Sequence, residues 1–361
     1  VGWNERTIAQ PKNSLGGNQS VSVRIGDQAD EKFDRTERGM NMPAATWTWR
    51  IAVSVIFAAT SCGAALSADL LVAMPNWPSG QAAANIIKFG IKQKLNLDAD
   101  VREMGSMTAF AGMDTGEVDV YPEVWLPNLD SLVKKYVDGR KTVDLSPKGV
   151  SATQGICVTR ETADKFGVKD ISDLTDPKKA AVFDTDGDGK GEMWIGALGW
   201  SSTSIEKIRA KSYGYEKTMT LLQMPEDMAM AAVDAAAATG QPMAFYCYSP
   251  HHMFKLHDIV QLTEPKHDPA KWHIVMPSDD PDWLTKSEAP VAWDASHFYI
   301  GFASSTAKRL PKVAAFLSHI DFTPEEVTEM SYALQVDRQD PAKFAQDWVA
   351  KHQDRLNAWS K

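Results

Sequence analysis

Cysteine is nearly absent from this sequence, with three in 361 residues, Cys62, Cys157 and Cys247. So few cannot build the disulfide framework of a small secreted scaffold. Basic charge is short as well: Lys+Arg number 38 against 47 Asp+Glu, a formal net charge of −9. That excludes the basic footprint of a nucleic-acid-binding surface. Beyond the N-terminal region no apolar run approaches the roughly 18 residues a membrane-spanning helix needs. Also missing are the G-x-S-x-G elbow, H-E-x-x-H, a phosphate-binding P-loop and the dinucleotide glycine fingerprint. What remains, 43% hydrophobic and 24% charged, is the composition of a globular chain.

The first 68 residues read as something other than fold. After Met40 and Met42 comes Arg50, then the apolar stretch 51–59, then the small residues Ala64, Ala65, Leu66, Ser67 and Ala68. A basic start, a short apolar middle and small residues before a polar restart are the parts of a secretory signal peptide, here spanning 40–68. Residues 1–39 have no hydrophobic period and precede both methionines, so they read as an upstream extension foreign to the native protein. An exported chain, expected in the periplasm, leaves Cys157 and Cys247 as either a bonded pair or two buried thiols.

Beyond residue 68, short apolar segments alternate with helical patterns. Leu70–Met74 reads as a buried strand, and Ser79 as the cap of a helix whose Ala83, Ile87, Ile91 and Leu95 line one face. Val118–Tyr121 reads as a strand that Pro122 ends, because proline cannot donate to a ladder. Further strands are expected at 156–159, 180–183, 243–248 and 297–303, and helices at 203–212, 226–239 and from Leu310 to the end. Such alternation implies an α/β sheet with helices on both faces. No linker or repeat marks a domain boundary.

Large aromatics cluster where strands end. Trp77 lies in the loop after the first strand, Trp125 follows Tyr121-Pro122-Glu123-Val124, and Trp194 and Trp200 frame a glycine-containing segment before a helix. Tyr246 and Tyr248 share one face of their strand. Ligands of open α/β sheets bind outside the carboxyl ends of strands. One such tryptophan is ordinary core closure; Trp77, Trp125, Trp200 and Tyr248 together read as a cage for a methylated cation.

Three stretches make a specific resemblance: Asn76-Trp77, the run from Gly116 to Trp125, and Tyr248-Ser249-Pro250-His251-His252-Met253-Phe254. The chain resembles the OpuAC family of glycine betaine and proline betaine-type substrate-binding proteins of ABC importers, over essentially all of 69–361. The resemblance implies a two-lobed periplasmic-binding-protein (type II) α/β fold, with lobe I at 69–152 plus 264–361 and lobe II at 153–263. It implies that Trp77 and Trp125 of the first lobe and Trp200 and Tyr248 of the second box the ligand, and that the partner is a membrane permease. The family usually carries Trp-Thr-Pro-His-Trp where this chain has Tyr248-Ser249-Pro250-His251-His252, so one wall becomes a tyrosine. The expected protein is a monomer that performs no catalysis.

Three or four aromatic faces contribute roughly 2–7 kcal/mol to a caged cation, whereas micromolar binding needs about 8 kcal/mol. Polar contacts must supply the rest. Glu123 would share a face with Tyr121 and Trp125 if the backbone stays extended past Pro122, placing a carboxylate near the cation. His251 and the backbone N–H groups at 201–203 suit an anionic group instead. These contacts leave the ligand open; the resemblance, which extends to subfamilies that include trimethylamine N-oxide binders, implies trimethylamine N-oxide or glycine betaine ahead of choline. The rivals are a secreted Ca²⁺-stabilised enzyme acting on a methylated amine, with Glu123 and His251 as its acid–base pair, and a periplasmic sensor subunit.

A second site is expected at Asp184, Asp186, Asp188, Lys190 and Glu192. Acids at positions 1, 3 and 5, glycine at 6, a backbone carbonyl at 7 and an acid at 9 match the first part of a calcium loop. Ile195 stands where the usual twelfth-position glutamate would be. The expected cofactor is a structural Ca²⁺ ion.

Overall fold

A computed structural model describes residues 68–361. The expectations for residues 1–67, the upstream extension and nearly all of the signal peptide, lie outside the described residues.

The chain builds two sheets that share one strand. The first starts with β1 (Leu70–Met74), which pairs in parallel with β2 (Ala99–Glu103) and β3 (Val120–Leu126). The helix Pro78–Leu95 links the first two of these and buries Ala82, Ala83, Ile86, Ile87 and Ile91. A late strand, β10 (Ser296–Ala303), returns antiparallel beside β3 and beside β4 (Val143–Leu145). The tail helices Pro324–Gln335 and Pro341–Lys351 pack on the 78–95 helix and cover this sheet.

The crossing is made by β5 (Val150–Thr159). Its first three residues pair with β10, and from Thr153 onward it pairs with β8 (Ala244–Ser249) and β9 (Ile259–Gln261). Parallel to β8 runs β6 (Gly191–Trp194), which in turn pairs with β7 (Met219–Leu222). A strand that continues from one sheet into the next leaves no polar linker, which is why no boundary shows in the sequence. Cys157 and Cys247 are disulfide-bonded, joining β5 to β8 across 90 positions of chain.

Several elements differ from the sequence expectation. Pro122 lies inside β3 rather than ending a strand. The ladder to β10 shifts register between Tyr299 and Gly301, opposite Pro122, and β1 pairs only as far as Val120, so no ladder bond is lost. The segment 180–183 is helical, because Asp176 caps the turn that Pro177 opens and its carboxylate accepts from the Lys178 N–H. Ser79 is not a cap: the helix starts from Trp77, with Pro78 in its first position. The edge strand β2 has only two apolar residues, Ala99 and Val101, and β7 is only four residues long, so neither stands out in the sequence.

The segment from Glu264 to Trp293, placed with the first lobe on sequence, bonds instead to the helix Ser201–Tyr213 beside the second sheet. Arg209 donates to the Val291 carbonyl at 2.6 Å and to Glu264 at 2.5 Å, and Lys211 donates to the carbonyls of Leu284 and Ser287. The Trp293 indole N–H donates to Glu206 at 2.7 Å.

Candidate functional site

The site lies where the two sheets face each other, and each of its walls comes from an element end. Trp77 precedes the 78–95 helix, Trp125 stands one residue before the end of β3, Trp200 precedes the 201–213 helix, and Tyr248 is the penultimate residue of β8. The rings touch in sequence, nearly perpendicular to one another. Trp77 meets Trp200 at 5.8 Å and 85°, Trp200 meets Tyr248 at 6.1 Å and 80°, and Tyr248 meets Trp125 at 5.5 Å and 85°. Perpendicular neighbours are the sides of a box.

Glu123 closes the remaining corner. Its Oε2 accepts the indole N–H of Trp77 at 2.5 Å and of Trp125 at 2.9 Å. The register shift opposite Pro122 interrupts strict alternation in β3, so the expected shared face does not extend to Tyr121. Tyr121 packs with Val124 in one apolar cluster and Trp125 packs in the other, while Glu123 reaches the Trp77 and Trp125 indoles. The side chain is 1% exposed, and its Oε1 has no hydrogen-bond partner. Burial pushes the carboxyl up to about 7, against the lowering effect of hydrogen bonds from Trp125, Trp77 and Ser79, while the Glu226 charge raises it further. Tyr121 is fully buried beside it with a hydroxyl that also lacks a partner, and burial raises its phenol well above the ordinary range.

The cavity measures about 310 Å³. Trp77, Trp125, Trp200, Tyr246 and Tyr248 line it, whereas Trp194, Glu123 and His251 stand behind the lining. Trp194 backs Trp200 at 6.0 Å and donates its N–H to the Met224 carbonyl. Among the described lining residues Glu103 alone is charged. Two helices, Ser106–Thr115 and Ser201–Tyr213, open toward the cavity without side-chain caps, and Ser106, Ser201 and Ser202 line it.

His251 does not reach the cavity, because its Nε2 lies 3.1 Å from Glu226. Its neighbour His252 stacks on it at 4.2 Å and bonds to Ser331 through Nδ1 at 2.7 Å. Burial, then the His251 and His257 rings, push His252 down to about 3. Sequence reasoning missed Glu226, which accepts from the Tyr248 hydroxyl at 2.5 Å. It missed Gln154 of β5 too, which takes the Tyr246 hydroxyl at 2.6 Å and exchanges two bonds with Asn128. An acid in the first turn of an alanine-rich helix and a glutamine in a strand carry no signal of such roles.

Away from the box, one carboxylate oxygen from each of Asp184, Asp186, Asp188 and Glu192 lies within 4.8 Å of the others. Positive φ at Gly187 (82°) and Gly189 (89°) folds the loop so that both backbone N–H groups reach the Asp184 carboxylate. Glu192 Oε2 accepts from Thr185, and Oε1 has no partner. Lys190 is not one of the four clustered groups; its backbone N–H donates to Asp188 Oδ1 at 2.8 Å.

Residues 68–351 match the family described as the substrate binding domain of ABC-type glycine betaine transport system. The glycine betaine/proline betaine-binding periplasmic protein of Salmonella typhimurium is 23% identical over 58% of this chain and 64% of its own length. The protein of that name from Escherichia coli is 21% identical over 71% of this chain and 78% of its own length. The matched part thus spans less than two thirds of the Salmonella relative. Among solved structures, an ABC-transporter choline binding protein in complex with choline aligns at a TM-score of 0.63 and 16% identity, covering 80% of this chain and 90% of that one. Lactococcal OpuAC, closed and complexed with glycine betaine, aligns at 0.60 and 20% identity, covering 81% and 99%. At such identities the likeness establishes the fold, two α/β lobes with a cleft between them.

Proposed function

The chain belongs to the glycine betaine-type substrate-binding proteins of ABC importers, and from that premise we propose that it captures a trimethylammonium-type osmolyte in the aromatic box. It acts outside the cytoplasm and delivers the ligand to an ABC permease. Members of this family bind and hand over substrate; they are not enzymes. The observation that carries the reading is the box itself, four rings at near right angles with a buried carboxyl in the corner.

Trimethylamine N-oxide suits this corner best. With its carboxyl pushed up to about 7, Glu123 carries a proton through the acidic range up to neutrality. The unpartnered Tyr121 hydroxyl on the cavity wall offers the N-oxide a donor, and a protonated Glu123 behind the Trp77 and Trp125 walls leaves the N-oxide oxygen unrepelled. Glycine betaine is the second reading, supported by the two uncapped helix N-termini on the cavity, which suit its carboxylate. Choline ranks third.

Calorimetric titration with trimethylamine N-oxide, glycine betaine, choline and proline tests the proposal, with the ligand recovered and its structure checked. Tight binding of one trimethylated compound, recovered unchanged, supports it. Binding of none of them, or chemical conversion, overturns it.

The 184–192 loop is proposed to hold a structural Ca²⁺ ion. The support is four carboxylate oxygens within 4.8 Å and a free Glu192 oxygen, a donor set of hard oxygens that suits calcium.

A further inference from the structure

Glu226 opens the helix Glu226–Thr239 and is 5% exposed, yet it does not line the cavity. It stands at the hydroxyl end of one wall, where its Oε1 accepts from Tyr248 at 2.5 Å. The same oxygen lies 3.1 Å from His251 Nε2. Because the Met253 backbone N–H donates to His251 Nδ1 at 3.2 Å, the neutral ring keeps its proton on Nε2 and donates it to Glu226. Oε2 is buried without a partner. No lysine, arginine or histidine is among the described residues lining the cavity, and the other buried acid facing Glu226 is Glu123.

This arrangement has a physical consequence for the box. A phenol that donates to a carboxylate has a more electron-rich ring, and its face attracts a cation more strongly. The carboxylate adds negative potential of its own through a water-excluded region. A tryptophan in place of Tyr248, the usual residue in the family pattern, would lack the hydroxyl that reaches Glu226.

We propose that Glu226 is a positioning and specificity residue: by holding the Tyr248 hydroxyl it makes that wall select a methylated cation over an uncharged molecule of the same shape. The inference rests on the functional reading above.

The test pairs trimethylamine N-oxide with tert-butanol, and choline with 3,3-dimethyl-1-butanol, whose tert-butyl groups copy the shape without the ammonium charge. Each is titrated by tryptophan fluorescence into the wild-type chain and into the Glu226→Gln and Tyr248→Phe variants, with Tm recorded for all three. Both variants should lose about tenfold in affinity for the ammonium compounds and less than twofold for the tert-butyl compounds. Equal losses for both members of a pair would reduce Glu226 to packing and overturn the inference, as would no loss at all. If the wild-type chain binds neither ammonium compound, the functional reading falls and the inference with it; equal losses sink only the inference.

Discussion

Trp200 donates its indole N–H to Oδ1 of Asn76 at 2.8 Å, across 124 positions of chain. Trp200 belongs to the second lobe and Asn76 to the loop after β1 of the first, so the bond spans the cleft beside the box. A hydrogen bond of this kind is worth about 0.5–1.5 kcal/mol. Asn76→Ala should therefore weaken ligand binding by about two- to tenfold while leaving Tm nearly unchanged. Fluorescence titration of the two proteins checks this; an unaltered Kd would remove the bond from the closure account.

Glu123 should make stability depend on pH. Its folded-state value of about 7 exceeds the ordinary 4.5, so the folded chain holds a proton there that the unfolded chain has released. That contribution is fully present below the ordinary value and is lost as pH rises through about 7. Within the window the slope approaches about 1.4 kcal/mol per pH unit. Urea denaturation of wild-type and Glu123→Gln protein, below and above the window, should show the loss in the wild type only. Parallel profiles would contradict the burial of an ionisable group at the box corner.

Arg209 is fully buried between Glu206, at 3.1 Å, and Glu264, at 2.5 Å. Removing the only cation from such a cluster strands two buried carboxylates, a change that costs roughly 3–5 kcal/mol. Arg209→Met should lower Tm sharply and expose the 264–293 segment to limited proteolysis. Survival of both properties would show that the segment is held by something other than this cluster.

Calcium should raise Tm and EDTA should lower it. Asp184→Asn and Asp188→Asn should abolish both responses, because each removes a carboxylate from the four-oxygen cluster. Melting that ignores calcium and chelator alike would leave the loop as a metal-free turn.

How much could be read in advance varies from residue to residue. Trp77, Trp125, Trp200 and Tyr248 were visible only as a set: one aromatic at a strand end ordinarily closes a core, but four at such places, together with the family resemblance, read as a box. Glu226 was not, since acids in a first helical turn usually serve the helix dipole and its partner Tyr248 lies 22 positions away. His251 looked like a ligand for an anion, but its ring is engaged by Glu226 and by the Met253 N–H. Pro122 looked like a strand end because its neighbours across the ladder, and the bulge that spares them, are set only by the tertiary pairing of β3 with β10. The lobe crossing was illegible for the related reason that β5 changes partners in mid-strand.

Calorimetric titration of trimethylamine N-oxide into wild-type, Trp77→Ala and Trp200→Ala protein tests the box most directly, because these two walls are only partly buried and their loss should spare the fold. The account predicts a dissociation constant of about a micromolar or tighter for the wild type, and a loss of about tenfold or more when either ring is removed. Affinity unchanged by the loss of either wall would show that the rings are packing rather than a cation site.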